Sequence, residues 1–148
     1  MNTTNKAVDI LMVEDSEEDA ELAVAALRAR NFSEHVVRFV DGDNVLDFIC
    51  ANTWSADWKA ESAPRLILLD LGLSRMGGLE VLEQLKVRER TRPIPVVVFT
   101  GTHDEKRMQA CYRMGANSYV VKPGDAKKFG QLVGDIAYYW LNVNKSFR

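Results

Sequence analysis

Leu66-Ile67-Leu68-Leu69-Asp70 is the most informative stretch of the chain, because four apolar residues in a row end at a single acid. A short, uninterrupted apolar run is typical of a strand that is buried on both faces of a parallel sheet. Similar runs occur at residues 10–13 and 96–99, and helical patterns lie between the runs. Strands that alternate with helices predict an α/β fold with helices on both faces of the sheet.

The strand-helix pattern occurs five times along the chain. Because crossovers between parallel strands are right-handed, few topologies remain, and we expect the doubly wound, flavodoxin-like (βα)5 fold with strand order 2-1-3-4-5. A single domain is expected over residues 1–148, with its core at about 9–141 and a short C-terminal tail. The predicted strands are 9–14, 36–40, 66–69, 96–99 and 118–121, and the predicted helices are 17–30, 43–50, 78–89, 104–114 and 125–143.

Composition and charge argue against several classes of function. The 148 residues are 47% hydrophobic and 27% charged, and their formal net charge of -2 gives no basic surface for nucleic acid. No apolar run approaches the ~20 residues that span a bilayer, and residues 1–6 do not form a signal peptide. Cys50 and Cys111 lie outside any metal-binding spacing, so we expect reduced, buried thiols. These features predict a cytoplasmic protein that binds neither nucleic acid nor membrane.

Chemically active residues follow four of the predicted strands. They are Glu14 and Asp15 after the first, Asp70 after the third, Thr100 after the fourth and Lys122 after the fifth. In the expected strand order these ends meet at one edge of the sheet, where doubly wound folds bind ligands. Three converging carboxylates must take up a proton or a cation, and Mg²⁺ suits oxygen ligands. Lys122 and the Thr100 hydroxyl would hold a phosphate, and a carboxylate in this place could serve as the nucleophile.

Each of these residues also has an ordinary structural explanation. A single acid after a strand is usually a helix N-cap or a solvated loop residue, and either Asp15 or Ser16 can cap the first helix. A lysine-proline pair after a strand is, by itself, an even weaker indication of a functional site. Only the complete set, which occupies four strand ends in the matching order, favours a shared metal and phosphate site.

The same residues lie in motifs that resemble the receiver domains of two-component response regulators. The resemblance covers about residues 9–141. It implies a signalling protein whose Asp70 accepts a phosphoryl group from a histidine kinase with Mg²⁺, and which catalyses only its own phosphorylation and dephosphorylation. The motifs are Val13-Glu14-Asp15, Ile67-Leu68-Leu69-Asp70 followed by Met76-Gly77-Gly78-Leu79, Val98-Phe99-Thr100-Gly101, and Val121-Lys122-Pro123.

By this resemblance, four residues near the first and third strands hold Mg²⁺, three of them directly and one through water. Asp15 and Asp70 would bind the ion through their carboxylates, and Glu14 would act through water. Gly72 would offer its backbone carbonyl. The chain departs from the usual pattern at Ser74, where receivers commonly have proline, and at Gly77-Gly78, where an acid often precedes the glycine.

The resemblance also implies a conformational switch. Thr100 and Lys122 would contact the phosphoryl group. Tyr119 would rotate inward as Thr100 is drawn towards the phosphoryl group. Tyr119 considered alone is only an aromatic residue in a strand, which more often packs than switches.

A narrower resemblance concerns the small response regulators that partner bacterial phytochromes. It rests on the long segment before the third strand, on Asp70-Leu71-Gly72-Leu73 and on the C-terminal Tyr139-Trp140-Leu141. It implies a histidine kinase of the phytochrome type as the partner.

The last predicted helix suggests self-association. Tyr138 lies opposite its apolar face, and Tyr139 and Leu141 lie on the flanks, so the helix end carries more apolar surface than one domain needs. We expect a two-fold homodimer through the fourth helix, fifth strand, fifth helix and tail. The alternative is a tail that folds back on its own domain. The residues expected to be buried on one face are Phe129, Leu132, Val133, Ile136 and Trp140.

Three other functions compete with a phosphoryl acceptor. A haloacid-dehalogenase-type phosphatase would have a second aspartate two residues after the first, where this chain has Gly72. A flavodoxin-like nucleotide binder would need a loop rich in glycine or hydroxyls after the first strand, where this chain has acids. A constitutive, receiver-like interaction module is the stronger alternative, although such domains usually lack the acid pair or the lysine.

Overall fold

The computed structural model describes residues 8–32, 36–53, 63–73 and 76–145. Within these residues five strands alternate with five α-helices, and a π-helical turn at Tyr139–Val143 follows the last helix. The strands are β1 (Ile10–Val13), β2 (Val36–Phe39), β3 (Leu66–Leu69), β4 (Val96–Thr100) and β5 (Ser118–Val121). The helices are α1 (Glu17–Ala29), α2 (Gly42–Thr53), α3 (Gly78–Val87), α4 (Glu105–Met114) and α5 (Ala126–Tyr138).

The sheet is fully parallel, and its strand order is β2-β1-β3-β4-β5, which confirms the predicted fold. Every residue of β1, β3 and β4 is buried, which explains why these strands consist of unbroken apolar runs. The order reverses between β1 and β3, where Val13 lies opposite Leu69. The residues that follow these two strands therefore open the crevice in which doubly wound folds place their ligands.

Apolar layers pack on both faces of the sheet because strand side chains alternate with a period of two. Leu11 and Val13 of β1 belong to the layer beneath α2, α3 and α4, and Cys111 is buried in that layer. Ile10 and Met12 belong to the layer beneath α1 and α5. Cys111 is a free thiol, as predicted, and the side chain of Cys50 lies outside the described residues.

Side-chain caps explain where the helices begin. Ser16, and not Asp15, caps α1, because its hydroxyl accepts a hydrogen bond from the Asp19 amide at 3.2 Å. Asp104 and Asp125 cap α4 and α5 in the same way, so these residues, predicted as the first of each helix, lie one position before it. α2 runs to Thr53, beyond the predicted end at residue 50.

The end of the last helix differs from the prediction. The α-helix ends at Tyr138, and a π-helical turn continues to Val143. Leu141, predicted on an exposed flank, is only 7% exposed, and its carbonyl accepts a hydrogen bond from Arg65. Leu132 and Trp140, predicted as buried, are half-buried. The buried stripe follows the four-residue spacing Phe129, Val133, Ala137 and Leu141, with Ile136 beside it.

The crossing of α1 and α5 depends on small side chains. A β-carbon at Gly130 would lie 3.5 Å from that of Ala26, so the two helices approach closely there. One turn later Gly134 leaves room for Arg30, which forms a 2.9 Å ion pair with Asp135. None of the helices in the described part of the chain combines the length and apolar character needed to cross a membrane.

The two glycines before α3 have different roles. Gly78 is the buried first residue of α3, and a β-carbon there would lie 2.4 Å from the Asp70 carbonyl oxygen and 2.6 Å from the Leu71 α-carbon. A β-carbon at Gly77 would meet no heavy atom of the described residues within 4 Å. Gly78 therefore lets α3 begin directly against the backbone of Asp70. Ser74 lies outside the described residues.

We expect Gly78→Ala to lower the free energy of unfolding by about 2 kcal/mol, because neither backbone contact can move aside without shifting α3. Gly77→Ala is the matched control and should cost less, about 1 kcal/mol or below, since its φ of -64° suits alanine and only its N-cap position disfavours that residue. Urea unfolding of the two variants measures the difference. Equal losses would contradict the packing role of Gly78.

Candidate functional site

Three acidic side chains meet at the carboxyl ends of β1 and β3. Oxygen atoms of Glu14, Asp15 and Asp70 all lie within 4.8 Å of one another. The β1-β3 pairing brings them together, since the Asp70 amide continues the ladder and donates to the Val13 carbonyl at 3.1 Å. Glu14 and Asp70 are buried and Asp15 is half-buried. The oxygen set fits a hard divalent cation such as Mg²⁺.

Lys122, which directly follows β5, reaches across the sheet to these acids. Its ammonium Nζ lies 2.7 Å from Glu14 Oε1, 2.8 Å from Asp19 Oδ2 and 3.2 Å from Asp70 Oδ2. The Lys122 side chain is only 10% exposed, so its charge requires such partners. The backbone amide of Lys122 donates to the Thr100 carbonyl at 2.8 Å, which sets the point where the side chain leaves the sheet.

Sequence reasoning missed Asp19, which lies in the first turn of α1. The available signal was its position one helical turn after Asp15. That spacing also fits an ordinary acidic first turn, where carboxylates stabilise the positive end of the helix. Only the fold shows that this carboxylate faces Lys122, 103 residues further along the chain.

Burial and charge shift the pKa values of Glu14 and Asp70 in opposite directions. Burial raises the pKa of Glu14 to about 7, although its hydrogen bond with Lys122 opposes this shift. Burial acts on Asp70 in the same direction, but the Lys122 charge and the Gly72 amide outweigh it and hold the pKa of Asp70 below its usual range. Burial tends to lower the pKa of Lys122, but hydrogen bonds to Asp19 and Glu14 outweigh it and raise that pKa. At neutral pH, Asp70 is therefore ionised and Lys122 is charged.

Gly72 and Thr100 flank the acids. The Gly72 amide donates to Asp70 Oδ1 at 3.2 Å, and a β-carbon at Gly72 would lie 3.8 Å from the same oxygen. The missing side chain therefore leaves that side of the Asp70 carboxylate open. Thr100 is the buried last residue of β4, between the strands that carry Asp70 and Lys122.

In the register of β4 and β5, Tyr119 lies opposite Val98, and Thr100 lies opposite Val121. The half-buried ring of Tyr119 packs against the layer beneath α4, and its hydroxyl donates to the Thr102 carbonyl at 2.6 Å. The tyrosine is thus linked to the loop after β4, at a residue two positions beyond Thr100.

Arg38 of β2 holds the loop between β1 and α1. Its Nε donates to the Glu14 carbonyl at 3.0 Å, and its Nη1 forms a 2.8 Å ion pair with Glu17. Glu14 is fixed at its side chain as well, because Oε2 accepts the Ser16 amide at 3.1 Å. Sequence reasoning missed Arg38, since an arginine within a strand pattern carries no indication of which loop it contacts.

The chain belongs to the response regulator receiver domain family, whose profile matches residues 10–133. The response regulator Rcp1 of Synechocystis sp. is 33% identical over 134 residues, which are 90% of this chain and 89% of Rcp1. A probable methanogenesis regulatory protein, FilR2 of Methanothrix harundinacea, is 36% identical over 137 residues, 93% of this chain and 86% of that protein. The family resemblance inferred from the motifs is confirmed.

Solved structures extend this relationship to the whole fold. The Mn²⁺-bound form of Rcp1 superimposes with a TM-score of 0.81 at 31% identity, covering 94% of this chain and 98% of that one. The phosphorylated cyanobacterial phytochrome response regulator RcpA gives a TM-score of 0.81 at 29% identity, covering 97% and 100%. Phytochrome-associated response regulators are therefore among the relatives of this chain, as the narrower resemblance implied.

The raised pKa of Glu14 predicts a pH-dependent stability of the metal-free protein. Because the folded-state pKa of about 7 lies above the ordinary 4.5, the folded state binds more protons between these values, and stability falls as pH rises through this window. Glu14→Gln should remove this decline while keeping an oxygen that accepts from Lys122. Urea unfolding in a chelator from about pH 5 to about pH 8 compares the two proteins. Parallel stability curves would contradict the assignment.

Proposed function

We propose that this chain is a single-domain response regulator that accepts a phosphoryl group on Asp70 from a histidine kinase. An oxygen of Asp70 attacks phosphorus, the bond from phosphorus to the kinase histidine nitrogen breaks, and its electron pair returns to the imidazole. The observation that carries the proposal is the state of Asp70, which is buried and ionised beside two further acids and 3.2 Å from Lys122. The proposed activity is confined to the protein's own phosphorylation and dephosphorylation, with no other substrate.

Mg²⁺ is the proposed cofactor. Asp15 and Asp70 would bind it through their side chains, Glu14 through water and Gly72 through its backbone carbonyl. The clustering of the three carboxylates supports this, and the related Rcp1 has been solved in a Mn²⁺-bound form. When bound, the ion would compensate the negative charge that otherwise keeps a phosphoryl donor away from Asp70.

Lys122 and Thr100 are the proposed contacts of the phosphoryl group. Lys122 supplies a charge-assisted hydrogen bond, and the Thr100 hydroxyl supplies a second donor. We propose that Tyr119 responds when Thr100 moves towards the phosphoryl group. The Tyr119 hydroxyl would then lose its hydrogen bond to the Thr102 carbonyl, and the ring would rotate inward. The hydrogen bond from Tyr119 to the loop after Thr100 supports this coupling.

A phytochrome-type histidine kinase is the proposed partner, and a cytoplasmic location is proposed with it. Support comes from RcpA and from the bacteriophytochrome response regulator RtBRR, which has a TM-score of 0.70 at 35% identity and covers 97% of this chain and 82% of that one. No contact with nucleic acid or membrane is proposed.

Asp70→Asn should abolish phosphorylation and leave the fold intact, because it removes the nucleophile with almost no change in shape. Wild type should be labelled by a small acyl phosphate only when Mg²⁺ or Mn²⁺ is present, and the label should be stable in acid and labile in base. Asp47→Asn is the matched control, since Asp47 is an exposed acid of α2. Wild type that folds and binds the kinase but takes no label would favour the constitutive interaction module instead.

We also propose a two-fold homodimer through α4, β5, α5 and the π-helical turn. The burial of Leu141 shows that part of the tail packs on its own domain, so the proposed surface excludes this residue. An apolar surface still remains for a partner copy. The large exposed hydrophobic residues of this face are Tyr112, Val121, Tyr138, Tyr139 and Val143.

Tyr138→Glu combined with Tyr139→Glu should convert the dimer to a monomer, because these rings are 54% and 46% exposed and tolerate charge in the monomer. Val40→Glu, directly after β2 at the opposite edge of the sheet, is the control for adding charge at an exposed apolar site. Sedimentation with and without a phosphoryl analogue measures the association state. A wild type that stays monomeric in both conditions would refute the dimer.

A further inference from the structure

The Lys122 ammonium has three N–H bonds, and three different carboxylates lie within hydrogen-bond distance of its nitrogen. Its distances to Glu14 and Asp19 are 2.7 and 2.8 Å, whereas the distance to Asp70 is 3.2 Å. The lysine is therefore held more closely towards the acids of β1 and α1 than towards the proposed site of phosphorylation.

Asp19 differs from the other two acids that contact Lys122. Glu14 and Asp70 belong to the cluster of oxygens that can hold a cation, whereas among the described residues Asp19 lies outside that cluster. A divalent ion bound there would compensate Glu14 and Asp70 directly. Asp19, 29% exposed on α1, would then depend chiefly on Lys122 for its neutralisation.

A phosphoryl group on Asp70 needs the same ammonium. Because Lys122 has no fourth N–H, a phosphoryl oxygen must replace one of the carboxylates. Esterification would remove the charge of Asp70 but leave the charge of Asp19, whose carboxylate lies 2.8 Å from the ammonium in this structure and would repel the phosphoryl dianion.

We propose that Asp19 is a positioning residue that competes with the phosphoryl group for the Lys122 ammonium and so restrains phosphorylation of the resting protein. This inference rests on the proposed function of Asp70. It makes Asp19 a determinant of how readily the site accepts a phosphoryl group, although Asp19 itself contacts neither the metal nor the phosphorus.

Removing the Asp19 charge should have opposite effects on a cation and an anion. The carboxylate attracts Mg²⁺ and repels a phosphoryl group. Asp19→Asn should therefore weaken the binding of Mg²⁺ and strengthen the binding of the phosphoryl group. The asparagine oxygen can still accept a hydrogen bond from Lys122, which preserves the lysine position. A residue that only stabilises the fold would change both affinities in the same direction or neither.

The test measures Mg²⁺ binding by calorimetry and then beryllofluoride binding at saturating Mg²⁺, with beryllofluoride as the phosphoryl analogue. For Asp19→Asn we expect Mg²⁺ affinity to fall and beryllofluoride affinity to rise, each about three- to tenfold for one partly screened charge. Glu18→Gln is the matched control, because Glu18 is an exposed acid of the same helical turn. Asp19→Glu should restore the wild-type pattern, because it returns the charge.

Two results would overturn the inference. If both affinities fall together in Asp19→Asn, Asp19 holds Lys122 in its productive position and does not compete. If neither changes beyond the effect of Glu18→Gln, Asp19 has no part in the reaction. A wild type that binds neither Mg²⁺ nor beryllofluoride would instead refute the proposed function, so the two failures are distinguishable.

Discussion

The ion cluster around Lys122 is the constraint on which the rest of the site depends. A buried ammonium is tolerated only with full pairing, and here the partners come from three separate elements of the fold. Lys122 therefore connects β5 with the ends of β1 and β3 and with the first turn of α1. The Lys122 ammonium, which would contact the phosphoryl group, also stabilises the carboxylates before that group is present.

This dual role explains how two buried carboxylates at one edge have opposite pKa shifts. For Glu14, the interactions that lower the pKa do not offset the effect of burial. For Asp70, the Lys122 charge and the Gly72 amide together outweigh it. Asp70, the proposed nucleophile, is thereby kept ionised, and the neighbouring Glu14 takes up a proton near neutral pH. The sheet supplies this arrangement, because the register of β1 and β3 fixes where each acid emerges.

The backbone around Asp70 is as constrained as its side chain. The Asp70 amide completes the ladder with Val13, and its carbonyl lies against the α-carbon of Gly78 where α3 begins. On the other side of the crevice, Arg38 fixes the Glu14 carbonyl. We therefore propose that any movement occurs on the side with Thr100 and Tyr119, where a half-buried ring donates a hydrogen bond to the loop after β4.

The five strands, the helices between them and the residues at the strand ends could be predicted from the sequence, because buried strands and helix caps leave local patterns in residue type. Right-handed crossovers reduced the possible strand orders to a few, and the structure shows the expected one. The contact of Asp19 with Lys122, the contact of Arg38 with the β1-α1 loop and the burial of Leu141 became known only from the tertiary structure. These outcomes depend on contacts between residues far apart in the chain. A local pattern shows that a charge or an apolar side chain needs a partner, but only the packing of the elements decides which partner lies within reach.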